Sequence, residues 1–171
     1  MFSLQQPDGR IPIHVVFNIP PDDPRSVLAL ARMLSSIAQY SYDAYVSDDA
    51  RWQLTRVNDV DMRASHILSS AISQAAGREK ADYLIALAFV GEGQWHRRVF
   101  EEALSDPDPE VRCSAAWGLG EGAGNSESIP SLKGLLDDTA RVERPAHSQG
   151  PHHATVRDAA EEAIRKISQR F

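Results

Sequence analysis

Apolar residues recur along the chain at two spacings. Residues 11–19, IPIHVVFNI, mix β-branched and aromatic side chains and end at Pro20-Pro21, which predicts a strand, and Pro12 confines it to an edge or an extended arm. From Asp23 the spacing becomes helical. Val27, Leu30, Ala31, Leu34, Ile37 and Ala38 share one face of a helix that Asp23 caps and Pro24 begins, running to about Tyr40. Residues 40–58 set Tyr40, Tyr42, Tyr45 and Trp52 among Ser and Asp, with a short helix expected around 49–57. Helical spacing returns over 59–76 with Met62, Ala64, Ile67, Leu68, Ala71 and Ile72.

From about Lys80 the pattern repeats. Tyr83–Gly93, YLIALAFVGEG, aligns without gaps on Arg112–Gly122, RCSAAWGLGEG, at an offset of 29. Each copy is followed by a second amphipathic segment, 94–104 and 129–136, where the offset has grown to 32 because Ala123-Gly124-Asn125 lengthen the turn. A third copy begins at Val156-Arg157, matching Val111-Arg112 at an offset of 45, and the extra residues lie in an insertion, 139–154. Helix pairs recurring near every 30 residues predict a helical solenoid. In the central unit Asp108 caps and Pro109 begins the first helix, Val111, Ala115, Gly118 and Leu119 form its buried stripe, and the glycines at 120, 122 and 124 end it.

The run Asp106-Pro107-Asp108-Pro109-Glu110-Val111-Arg112, with Ala115-Ala116 and Gly118-Leu119-Gly120, resembles the HEAT-like repeat, in particular the short bacterial type of the phycobilisome lyases. Pro130, Leu132 and Leu135-Leu136-Asp137-Asp138 fit its second helix, and Val156-Arg157 with Ala159-Ala160, Ala163 and Ile164 fit the first helix of the next unit. The resemblance covers about residues 80–171. It implies an all-α fold, a short right-handed α-solenoid of HEAT-like helix pairs with a helical N-terminal part. The expected organisation is one domain, with an arm over 1–22, helices over 23–79 and repeats over 80–171. The resemblance also implies that the Arg after the Val bonds an inter-helix Asp, a role for Arg112 and Arg157 with Asp106 and Asp138. It places the second helices on the concave surface, which then carries Arg98, Glu101, Glu102, Lys133 and Asp137.

Composition narrows the function. With 171 residues, 42% of them apolar, the chain can bury one core. No apolar run reaches the roughly 20 residues that span a bilayer, and MFSLQQPDGR carries no leader pattern. The expected setting is therefore the cytoplasm, without membrane association. The one cysteine, Cys113, excludes an intrachain disulfide and is expected to be packed and inert. The net charge is −6, distributed unevenly: near −1 over residues 1–100, −7 over 101–138 and +2 over 139–171. The acidic block argues against nucleic acid and for a basic protein partner.

The chemistry-bearing residues form no catalytic constellation. Gly118, Gly120, Gly122 and Gly124 follow no strand and precede no Gly-Lys-Ser/Thr, so they read as a helix end and turn. His147, His152 and His153 cluster in the insertion, which reads as a mobile polar loop rather than a metal site. The expectation is a non-enzymatic protein-interaction module with no cofactor and no metal, in a specific form an inhibitor or immunity protein covering a basic enzyme. The sequence sets no oligomeric state. The alternative is an enzyme on the same scaffold, resembling bilin lyases or the alkylpurine DNA glycosylases built from HEAT-like repeats. Arg98, Glu101, Glu102, Trp117, Lys133 and Asp137 are the candidate partner-binding residues. Helical spacing puts Glu110, Ser114, Trp117 and Glu121 on a polar stripe opposite the buried one. Trp117 is then expected to be covered from outside its own repeat, by the arm, the insertion, a second subunit or the partner.

Overall fold

The computed structural model describes residues 23–40, 54–55, 62–90, 96–142 and 153–171, with backbone alone over 33–40. The expected strand at 11–19 and most of the helix expected around 49–57 lie outside the described residues, although Leu54 and Thr55 are helical. Seven α-helices are described: α1 (Pro24–Tyr40), α2 (Arg63–Gln74), α3 (Gly77–Val90), α4 (Arg97–Ala103), α5 (Pro109–Gly118), α6 (Ile129–Lys133) and α7 (Val156–Arg170). Among the described residues the extended structure is one antiparallel bridge, Arg141 to Thr155.

Local chemistry sets the helix starts. At α1 the Asp23 carboxylate accepts from the Arg25 N–H at 2.9 Å. At α5 the Asp108 carboxylate accepts from the Glu110 N–H at 2.8 Å, with Pro109 at the first helical position. At α7, Thr155 and Asp158 form a reciprocal capping box, which satisfies two of the backbone N–H groups that a helix start leaves unpaired. The end of α5 is less regular than its glycines suggest. It continues as a π-helical turn over Leu119–Ala123, closed by the Gly124 N–H on the Leu119 carbonyl at 3.0 Å.

The helices lie in two rows. In row one α1 packs on α3, α3 on α5 and α5 on α7. In row two α2, α4 and α6 each pack against the row-one helix that follows them in sequence. The core runs between the rows, through Leu68, Leu84, Leu87, Phe100, Val111, Leu119, Leu132 and Ile167. The N-terminal helices α1 and α2 occupy the two rows as the repeat pairs do, so they extend the array rather than forming a separate cap. The molecule is an all-α solenoid.

Small residues let the rows approach. Phe100 of α4 is fully buried, and its ring fills the space a side chain at 118 would take: a Cβ on Gly118 would lie 2.3 Å from the ring. A Cβ on Gly120 would lie 2.9 Å from the Ala163 Cα, so the π-helical turn passes against the α7 backbone.

The insertion leaves row two after α6 and returns at α7. Its stem is pinned by the Val142 N–H on the Ala154 carbonyl at 3.1 Å and the Val156 N–H on the Ala140 carbonyl at 3.2 Å. Residues 143–152, including His147 and His152, lie outside the described residues, and so does the expectation of a mobile loop.

Candidate functional site

Ion pairs join successive repeats at a fixed spacing. Arg112 donates through Nε to Asp138 at 2.8 Å and through a terminal nitrogen to the carbonyls of Asp106 and Pro107, at 2.8 and 2.9 Å. One repeat earlier Lys80 donates to Asp106 at 2.7 Å. Both pairs span 26 residues, and their members are 32 residues apart, the spacing of the second helices. Burial alone would raise the carboxyl pKa of Asp106 and Asp138. The Lys80 bond to the first and the Arg112 bond to the second outweigh it, so both lie below the ordinary value. Two details differ from expectation. The Arg157 side chain donates to the Leu136 carbonyl rather than to an aspartate carboxylate, while its backbone N–H donates to the Asp138 carbonyl at 2.9 Å. Asp106 takes its side-chain partner from Lys80, because helix α3 carries no Arg at that register; the matching spacing of 26 was the signal for it.

The acidic block is largely neutralised inside the fold. Of its nine carboxylates, Asp106 and Asp138 hold the ladder and Asp108 caps α5. Glu110 meets Arg78 at 3.4 Å and Glu121 meets Lys166 at 2.6 Å. Glu101 and Glu127 both meet Arg97. Two remain: Glu102 and Asp137 are exposed and make no ion pair or side-chain hydrogen bond with the described residues. The same holds for the exposed bases Arg98 and Lys133. These four residues lie on α4, on α6 and in the turn that follows α6, all in row two.

The rest of the second-helix surface differs from the sequence expectation. Arg97 and Glu101 do not face freely outward. They are half-buried, 3.5 Å apart, and Glu101 also accepts from the Ser128 hydroxyl at 2.8 Å, which ties α4 to the turn before α6. Arg98 and Glu102, four residues apart on α4, form no ion pair. Arg N-terminal to Glu is the weaker order for such a pair, worth only a few tenths of a kcal/mol.

Trp117 stands apart from these residues, on row one. Val111, Ala115, Gly118 and Leu119 are buried as the helical phase requires, but the opposite stripe is not polar surface. Ser114 on that stripe is fully buried, because α3 and α7 flank α5 on both sides. Trp117 is half-buried, and its ring meets Phe89 of α3 edge-on, with centroids 5.5 Å apart at 64°. Among the described residues it is the preceding repeat that covers it in part, a source that the helical wheel of α5 alone does not show; the arm over 1–22 and residues 143–152 of the insertion lie outside the described residues.

Residues 66–150 match the family model of HEAT repeats. The chain is a HEAT-like repeat protein. The match begins inside α2, ahead of the repeat boundary read at residue 80, and leaves α1 and α7 outside it. Comparison with curated proteins gives no match. Within the HEAT array Cys113 is buried, and no group of three or more His, Cys, Asp or Glu among the described residues is placed to hold a metal ion. No described helix is long and apolar enough to cross a membrane.

Proposed function

We propose that this HEAT-repeat protein is a non-enzymatic protein-interaction module that presents row two to its partner through Arg98, Glu102, Lys133 and Asp137. One observation carries the reading. Most of the charged side chains described on row one and in the inter-repeat turns have a partner inside the fold, whereas these four are exposed and have no ion pair with the described residues. A repeat array builds an extended surface, and charges left free on it are available to complement another surface at little cost to the fold. Glu101 serves this face indirectly by holding α4 through Arg97 and Ser128, and Trp117 belongs to row one and packs against Phe89.

The partner carries charge of both signs, with cations facing Glu102 and Asp137, the two carboxylates of the acidic block left free. An inhibitor or immunity protein in a bacterial cytoplasm is the specific form of this proposal, its target meeting Glu102 and Asp137 with cations and Arg98 and Lys133 with anions. The test is affinity capture from the native host with the wild type and with a variant carrying Arg98→Glu, Glu102→Arg, Lys133→Glu and Asp137→Lys. A protein captured by the wild type and lost with the variant, at unchanged melting temperature, is the expected result. Equal capture by both would contradict the assignment.

A further inference from the structure

His96 sits at the start of α4, two residues ahead of Arg98. It is only 6% exposed, and its Nε2 has no hydrogen-bond partner. A neutral imidazole tolerates such a site at the cost of one unmade hydrogen bond, but an imidazolium there must give up its hydration with nothing in return. Among the described residues the charge that acts on the ring has the same sign. His66 of α2 acts on the ring and repels a proton once it is charged itself. Arg97 and Arg98 follow on α4 with the same sign, and Glu101, the nearest carboxylate along α4, is engaged by Arg97 and Ser128. Burial first and His66 second hold the His96 pKa below the ordinary value of 6.5.

We propose that His96 makes the start of α4 acid-responsive, so that mild acid loosens the row-two segment that carries Arg98 and Glu102 while the rest of the array stays folded. The sign follows from linkage. Because the folded-state pKa is depressed, the unfolded chain binds more protons between the two values, so this contribution to stability is complete above about pH 6.5 and is lost as pH falls through the folded value. Each unit of depression corresponds to about a tenfold change in the opening equilibrium.

Two measurements on the full chain test this. Titration of the histidine Cε1 protons by NMR is expected to place His96 below the ordinary 6.5. Hydrogen exchange, expressed as protection factors at pH 7.5 and 5.5, is expected to show α4 losing protection, by at most about tenfold, while α5 and α7 keep theirs. His96→Gln, which cannot charge, is expected to abolish that difference. A His96 titration at 6.5 or above would overturn the proposal. So would an equal loss of protection in all helices, or an unchanged pH dependence in His96→Gln. If His96→Gln does not fold, the wild-type titration and exchange decide alone.

Discussion

At the scale of single residues, two positions on α5 show how closely the packing is set. Gly118 is not there for backbone freedom, since it is helical; it is there because the Phe100 ring occupies the volume of its missing side chain. Gly118→Ala is therefore expected to destabilise the fold by about 1–3 kcal/mol in chemical denaturation, and Phe100→Leu, which trims the ring, to recover part of the loss in the double variant. Ser114 is the opposite case. Its hydroxyl is fully buried and has no hydrogen-bond partner, so Ser114→Ala removes an unsatisfied polar group at almost constant volume. The expected outcome is an unchanged or raised melting temperature. A drop of several degrees would mean that the hydroxyl has a partner that the packing does not reveal. Trp117 completes the residue scale. Its phase on α5 was legible from the 3.6-residue period, but its contact with Phe89 was not, because a helical wheel describes one helix and the contact is made by another.

At the scale of elements, the parts that the sequence made legible are those with local causes. Asp23-Pro24 and Asp108-Pro109 announce helix starts because an aspartate cap and an N1 proline act within three residues. The gapless match of 83–93 to 112–122 announced α3 and α5 as equivalent but set their register at 29, whereas the helices begin 32 residues apart and Lys80 is the counterpart of Arg112. What escaped depends on packing between elements. Helices α1 and α2 lack the repeat's signature residues, and only their places in the two rows show that they continue the array. The ladder is intermediate. The resemblance implied Arg112 and Asp138, while Lys80 emerges only when the 26-residue span is seen twice. Arg112→Ala removes three bonds at once and leaves Asp138 without its cation, which is expected to cost about 2–3 kcal/mol at pH 7. Because the folded pKa of Asp138 lies below the ordinary 3.8, this contribution is complete above that value and disappears as pH falls through the folded one. The gap between wild type and Arg112→Ala should therefore narrow as pH falls below 3.8, leaving the part contributed by the two carbonyl bonds. A gap that stays constant down to pH 2 would show that the pair with Asp138 contributes nothing.

At the scale of the whole molecule, charge is the property that the sequence most misrepresents. A stretch with a net charge near −7 suggested an acidic surface, yet bases from outside the stretch (Arg78, Lys80, Arg97 and Lys166) reach back into it. No alignment of charge along the chain could show this, because the pairs are made between repeats. The free face that results carries two acids and two bases, which gives duplex phosphates no net attraction. Gel shifts with duplex DNA and RNA at physiological salt should accordingly show no salt-sensitive, sub-micromolar binding. The most direct test of the interaction reading compares two sets of charge changes in calorimetric titration against the captured partner. Glu102→Arg with Asp137→Lys alters the free charges of row two. Glu121→Lys with Lys166→Glu exchanges a row-one pair and keeps the attraction between positions 121 and 166, at the loss of the longer Lys166–Glu162 contact. If row two is the binding face, the first variant loses at least about a hundredfold in affinity, some 2.7 kcal/mol, and the second binds as the wild type does. Loss of binding in the row-one variant with affinity retained in the row-two variant would contradict it.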